Sequence, residues 1–353
     1  MKKTVFAFAA ALALAACGRS VSLSDKYARF LTDPNGYVCL KTESAPVIDG
    51  SLADMCWQKA PFSDAFSDIS GEGFPEPYRK TQVKMLWDDD FLYIGAELEE
   101  PFLQGSITGR DEIVWKDNDF EVFLDPDGDG RNYYELEINS LGTVFDLFLE
   151  GPYRCPERPY IMFQWDCPGL VAAVKVHGTL NDDSDVDSGW TVEMAIPQKA
   201  VSPEFDKVLV VGNYLRTGFS RVEWQWENGE HMKGEDGSTL PENNWTWGPT
   251  GMIAMHMPER WGYVWLQEEP REFVYPAGMN AEKLLWAVFY AQEEHFSKTG
   301  KYLKDVPLSA GDRALLPEGA SLRTEVSPSG YKTTVLLPDG NGTAIDEAGR
   351  IYR

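Results

Sequence analysis

Residues 115–146 read Trp115-Lys-Asp-Asn-Asp-Phe-Glu-Val-Phe-Leu-Asp-Pro-Asp-Gly-Asp-Gly-Arg-Asn-Tyr-Tyr-Glu-Leu-Glu-Ile-Asn-Ser-Leu-Gly-Thr-Val-Phe-Asp146. This is the pattern of two amphipathic strands joined by an acidic, glycine-containing turn. On the first strand Phe120, Val122 and Leu124 alternate with Glu121, Phe123 and Asp125. On the second, Tyr134, Leu136 and Ile138 alternate with Glu135, Glu137 and Asn139. A period of two sends each set to opposite faces of a sheet. One face can build a core, while the other presents carboxylates, an amide and a nearby indole. Function is expected on that polar face.

Outward from this hairpin, strand-like runs recur between about 37 and 267. Val83–Trp87 leads through Asp88-Asp-Asp90 into Leu92–Leu98. Further on come Leu170–Val176, Trp190–Ile196 (stopped by Pro197) and Val208–Leu215. Short strands separated by turn signals predict an all-β sandwich over 37–270, with room for a short helix at 52–59 around Trp57. Pro270 and Pro276 bracket a change of texture. Asn280 is placed to cap a helix over 281–298, with Leu284, Leu285, Val288, Phe289 and Phe296 at helical spacing and Gly300 as its stop. Strands follow at 321–325 and 331–337. Residues 271–353 therefore read as a small α+β appendage, suited to packing or partner docking.

The N-terminus points to a compartment. Lys2 and Lys3 precede an apolar run, Val5–Ala16, that ends in Leu14-Ala-Ala-Cys17. This predicts a signal peptide over 1–16 with a lipobox, in which Cys17 becomes the lipid-bearing terminus. The run is too short to span a bilayer, and nothing later approaches the ~20 apolar residues a spanning helix needs. Gly18 follows the cysteine instead of a retention aspartate, which favours the outer membrane, on its periplasmic or surface face. Residues 17–36 lack periodicity and read as a tether. The expectation is a lipoprotein of the bacterial cell envelope whose membrane contact is its anchor alone.

A formal net charge of −24 repels phosphate backbones, so nucleic acid is not an expected partner. It suits neutral ligands and divalent cations. Cys39, Cys56, Cys155 and Cys167 permit two disulfides in an oxidising compartment. Short local loops favour Cys39–Cys56 and Cys155–Cys167. The turn Asp125-Pro-Asp127-Gly-Asp129-Gly130 opens like a calcium loop, but Leu136 stands where a bidentate glutamate belongs and strands flank it, so it is no EF-hand. A structural calcium site on Asp125, Asp127 and Asp129 and an unliganded hairpin turn both remain open. The acidic run 181–187 reads as a solvated loop.

Sugars are held by stacking on aromatic rings while amides, carboxylates and guanidinium groups bond their hydroxyls. Glu121, Glu137 and Asn139 can converge across the hairpin, with Trp115 at its edge. Arg221-Val-Glu223-Trp224-Gln-Trp226 and Asn244-Trp245-Thr-Trp247 bring more indoles and a cation. A single tryptophan more often fills a core; twelve interleaved with polar residues predict at least one platform. No nucleophile elbow, phosphate loop or dinucleotide fingerprint occurs. His177, His231, His256 and His295 lie far apart in sequence.

Pro46-Val-Ile-Asp-Gly50-Ser-Leu-Ala-Asp54 with Trp57, the Trp-x-Asp-Asp-x-Leu-Tyr pattern at 87–93 and the segment 115–146 resemble the family 9 carbohydrate-binding modules and their relatives. So do 189–197, Phe219-Ser-Arg-Val-Glu-Trp224 and Met255-His-Met-Pro-Glu-Arg-Trp-Gly262. The resemblance spans roughly 45–266 in motif order. It implies a β-sandwich, a sugar clamped between tryptophans with polar groups nearby, and structural calcium. Carried onto this chain, it makes Trp115 the first clamp residue and Glu121 a polar contact. Arg221 with Trp224, or one of Trp245 and Trp247, supplies the opposite wall. Relatives often carry Asn where this chain has Gly218.

The leading expectation is a lipid-anchored, non-catalytic protein that captures poly- or oligosaccharide at the envelope by tryptophan stacking. One alternative is a glycoside hydrolase, or an accessory domain of one in carbohydrate catabolism, since carboxylates are abundant enough for a glycosidase pair. Another is a haem-binding electron-transfer domain with axial ligands among Met252, Met255, His256 and Met257.

Overall fold

The computed structural model describes residues 22–155, 158–202 and 207–353. The signal segment 1–16 and Cys17 lie outside the described residues. The quoted hairpin forms as its alternation requires. Strands Asp119–Asp125 and Tyr133–Asn139 pair antiparallel, with Phe120 opposite Ile138, Val122 opposite Leu136 and Leu124 opposite Tyr134. All six side chains are buried. That one face contributes on the order of 10 kcal/mol before chain entropy is subtracted. Gly128 and Gly130 take φ values of 68° and 84° in the turn, where a β-carbon would be strained.

One continuous sheet extends from the hairpin. Its main path runs Ile161–Met162, Val144–Leu149, Tyr133–Asn139, Asp119–Asp125, Tyr214–Glu223, Gly262–Gln267, Gly36–Lys41, Thr81–Trp87, Phe91–Leu98, Gly189–Pro197, Val171–His177. Neighbours are antiparallel except around Gly36–Lys41, which runs parallel to both of its partners. The sheet folds over on itself, so Phe120, Val122 and Ile138 share one core with Val83, Ile94, Val192 and Met194 from the other half. This is the expected β-sandwich. A side strand, Asn243–Thr246, lies along Tyr214–Glu223 and carries Ser67–Asp68 on its far edge. The expected helix at 52–59 is a single tight turn, Trp57–Lys59.

The appendage is a helix, Met279–Thr299, on a four-stranded antiparallel sheet (Ser321–Val326, Tyr331–Leu336, Gly342–Asp346, Ile351–Tyr352). The helix begins ahead of the expected Asn280 cap, with Gly278 at the cap position. It ends, as expected, at Gly300 in the left-handed conformation. The described part of the expected tether is folded instead. Leu23, Tyr27, Phe30 and Leu31 pack with Leu285, Trp286, Phe289 and Tyr290 of the helix. Sequence periodicity missed this because two single turns, Leu23–Lys26 and Ala28–Phe30, are too short to show one.

The appendage is fastened to the sandwich by charge. Arg350 Nε donates to Asp129 at 2.8 Å, and Arg353 donates to the carbonyls of Asp127 and Gly128. Glu259 accepts from Arg154 and from Tyr290. Neither expected disulfide forms. Cys39 is sealed between the sheet halves, whereas Cys56, just before the turn Trp57–Lys59, packs against the separate cluster of Leu40, Trp57 and Leu86. Cys155 Sγ donates to Ala348 O, and Cys167 lies beside Asp146 in the main core. In each expected pair the two thiols serve different contacts.

Asp312 fastens the N-terminal turns. It accepts from the amides of Leu23, Ser24 and Ser309 and from the Ser24 hydroxyl. Burial raises its pKa, but bonds from Ser24 and Ser309 outweigh it and hold the carboxyl at about 2. A depressed folded pKa means this contribution is present above the ordinary carboxylate range and is lost as pH falls toward 2. Asp312→Ala should cost about 1.5–3 kcal/mol and expose residues 22–31 first, read by denaturant unfolding and hydrogen exchange.

Candidate functional site

Directly opposed residues in a sheet share a face. The register therefore lays Phe145, Glu137, Glu121, Ser220 and Thr246 in one row across five strands. The adjacent row is Leu147, Glu135, Phe123 and Gly218. This is the polar face of the hairpin, and the Trp261 ring lies over it. A β-carbon at Gly218 would stand 2.7 Å from that ring, so an asparagine there would displace the indole.

A cleft of about 310 Å³ opens over this face. Glu121, Glu135 and Glu137 line its floor, and Ile113, Trp115, Tyr153, Phe163 and Ile253 line its walls. The five wall side chains are exposed, Trp115 at 37%. Val114 next to it is wholly buried with Phe123 and Trp261, which turns the neighbouring indole outward. The Trp115 carbonyl accepts from Trp224 Nε1 at 2.8 Å, and Trp224 stacks on His231 at 4.3 Å. Asn118 accepts from the Trp224 amide and Trp226 Nε1 and donates to Glu100 and Glu223. Asp117 accepts from Ser106, Ile107 and Asn139. The Trp115 platform is thus braced on three sides.

The floor is electrostatically frustrated. Burial, against the favourable Ser220 hydroxyl, pushes Glu121 up to about 7. Glu135 and Glu137 are pushed well up by burial and then by the charge of Glu121, and Asp119 behind them likewise. His256 borders the cleft, but burial and Arg154 lower it to about 3, so the ring is neutral. It is not a counter-ion to Glu135, 3.8 Å away. Its Nδ1 meets the Tyr133 hydroxyl at 2.9 Å, and the rings of Phe123 and Tyr153 flank it.

Of the residues expected to bind ligand, Trp115, Glu121 and Glu137 come together in the cleft. Trp224 stands behind Trp115 as its support. Four expectations are corrected. Arg221 is wholly buried, bonding Glu100 and Glu223 at 2.8 and 2.7 Å and the Glu99 carbonyl at 2.8 Å. Trp245, opposite it in the ladder, and Trp247 are 2% exposed and fill the core. Parity is the reason: residues 219 and 221, like 245 and 247, point between the sheets, whereas 220 and 246 face the cleft. Asn139 is wholly buried, donating to Ile107 O and Asp117 and accepting from Leu141 and Thr143. Sequence reading missed Glu135, Tyr153, Phe163 and His256 as cleft residues. Only Glu135 carried a signal, the same strand parity as Glu137.

The Asp125, Asp127 and Asp129 carboxylates lie close enough to share an ion. However, Asp125 accepts from the amides of Gly128 and Gly130, and Asp129 from the Arg131 amide and Arg350. Asp127 alone has no charged or doubly bonded partner among the described residues. The Arg350 guanidinium offsets one of the three carboxylate charges and ties the turn to the appendage.

The fold is a β-sandwich with an acid-floored, aromatic-walled cleft on one sheet face. Residues 48–146 match the family described as carbohydrate family 9 binding domain-like, and the chain resembles the proteins of that family. An endo-1,4-beta-xylanase A of Thermoanaerobacterium saccharolyticum is 26% identical over 158 residues, 45% of this chain and 11% of that one. Exoglucanase XynX of Acetivibrio thermocellus is 26% identical over 157 residues, 44% and 12%. This chain thus spans only about a ninth of the curated relatives it matches. Among solved structures, a family 9 module from Caldicellulosiruptor kristjanssonii in complex with cellotriose has a TM-score of 0.43 at 16% identity over 68% of this chain and 98% of that one. A putative carbohydrate-binding protein from Bacteroides uniformis has a TM-score of 0.49 at 15% identity over 66% and 99%.

The burial of Arg221 gives a test that separates scaffold from contact. Arg221→Leu leaves two buried carboxylates facing each other and should lower stability by about 3–5 kcal/mol. A residue that merely touched ligand would change it by about 0.5 kcal/mol or less. Urea unfolding of the variant distinguishes the two.

Proposed function

We propose that this protein captures poly- or oligosaccharide in the cleft over the Glu121–Glu137 face, without itself catalysing a reaction. The observation that carries this reading is an exposed indole, Trp115, standing with Tyr153 and Phe163 around a floor of hydrogen-bonding carboxylates. Aromatic faces take the C–H faces of a pyranose, and carboxylates accept from its hydroxyls; the shape and the mix of groups are those of a ligand site. The matched relatives are xylanases and an exoglucanase, which makes β-1,4-linked xylo- and gluco-oligosaccharides the first ligands to try. Catalysis in those proteins belongs to their whole length, of which this chain matches a small part.

Titration with such oligosaccharides should quench or shift tryptophan fluorescence. Trp115→Ala should weaken binding by about tenfold or more, the equivalent of ~1.4 kcal/mol, with the unfolding midpoint little changed. An unaltered affinity in that variant would remove Trp115 from the site.

We propose further that Cys17 is acylated and holds the protein at the cell envelope, in the outer membrane. The support is the basic start, the apolar run and the small residues before Cys17. Cys17→Ser should move the protein from the membrane to the soluble fraction on cell fractionation and abolish incorporation of labelled fatty acid.

A further inference from the structure

The appendage sheet has two unlike edges. One is Ile351–Tyr352, only two residues long and followed by Arg353, which is tied to the acidic turn. The other is Ser321–Val326, a full six residues, and no described strand pairs with its outer side. Sheets are usually closed off at such edges, because unpaired N–H and C=O groups there accept another strand.

The hairpin fixes which groups are open. The Ser327 amide donates to the Gly330 carbonyl at 2.8 Å, so this pair bonds across the hairpin. Bonded pairs recur at every second residue, and the register then makes them Glu325 with Lys332, Arg323 with Thr334 and Ser321 with Leu336. The backbone groups of Leu322, Thr324 and Val326 therefore point away from the sheet. Leu322 packs against the helix cluster on the inner face, and Val326 is 39% exposed. Arg323 and Glu325 share the outer face, 2.8 Å apart.

This strand is complementary to itself. Two copies laid antiparallel about a two-fold axis at Thr324 oppose Leu322 to Val326 and Arg323 to Glu325, each pair twice. The residues with outward backbone groups then face one another, as an antiparallel ladder requires. Glu325 would stand between Lys332 of its own sheet and Arg323 of the second copy. A slip of two residues one way opposes Arg323 to Arg323, and the other way Glu325 to Glu325. Like charges directly opposite destabilise a ladder, so this register is singled out. A cleft of about 690 Å³ runs along the same edge, where Val306, Leu308 and Leu316 can cover the incoming apolar side chains. Lys304, Arg313 and Arg323 line it against one carboxylate, Asp305, which eases the approach of copies that each carry a net charge of −24.

We propose that the protein forms a two-fold homodimer through Ser321–Val326, joining two appendage sheets into one of eight strands. The contact is isologous, so it closes on itself and does not propagate into a fibre. It lies on the appendage and leaves the saccharide reading independent of it.

The test is sedimentation equilibrium of the full chain in physiological salt. One short strand pair makes a small interface, and small interfaces bind weakly, so the series runs up to about 1 mM protein. A monomer–dimer equilibrium is expected. Arg323→Glu alone and Glu325→Arg alone each oppose like charges at two places and should weaken dimerisation about tenfold. Mixing these two variants, or combining both changes in one chain, restores opposite charges and should restore the dimer. Thr324→Pro removes an N–H that the hairpin does not use and should abolish the dimer, with folding checked by circular dichroism. A chain that stays monomeric throughout overturns the proposal and leaves the edge to an extended peptide of another protein. A dimer that survives Thr324→Pro, or single reversals that mixing does not rescue, also overturns it.

Discussion

Glu121 and Glu137 stand opposite each other across a hairpin whose other face is the core of the sandwich. The same period of two that buries Phe120, Val122, Leu136 and Ile138 forces the two glutamates onto one face, and no shift of register relieves one demand without breaking the other. Moving either strand by a residue would put carboxylates between the sheets. The apolar face therefore holds the acidic face in place. Concentrated carboxyl groups in the cleft are a constraint the core imposes, and the aromatic walls, the neutral His256 and the Ser220 row are arranged around them.

Much of this was legible in the sequence, and parity decides where legibility ends. The hairpin, the long helix and the late strands announce themselves by spacing. Arg221, Trp245 and Trp247 looked like ligand groups because they are polar-flanked aromatics and a cation. Counting by two from Phe219, which is buried, sends Arg221 inward, but the pairing of 243–246 with 220–223 is needed before Trp245 and Trp247 follow it. Tyr153, Phe163 and His256 reach the cleft from segments whose local sequence carries no period. The buried Asn139, Asp117 and Asn118 belong to the bracing of one loop, a task that residue type alone does not distinguish from hydroxyl binding.

The acidic turn shows how one motif can answer to a different partner. Its alternating aspartates look made for a metal ion, yet Arg350 and Arg353, more than two hundred residues away in sequence, supply the positive charge. The turn is a socket for Arg350 and Arg353. Arg110 does the same for Asp146 and Asp166. In a chain of net charge −24, arginines placed individually against carboxylate groups let acidic residues be buried that solvent would otherwise have to reach.

The docking of residues 22–31 onto the appendage helix closes a long loop. The amide of Leu23 donates to Asp312, 289 positions further on, and Tyr27 and Phe30 lie against Tyr290. Almost the whole sandwich is thus threaded between two segments that clasp each other, and the clasp offsets the entropy of closing that loop. The early turns and the appendage therefore form one cooperative unit although the sandwich separates them in sequence.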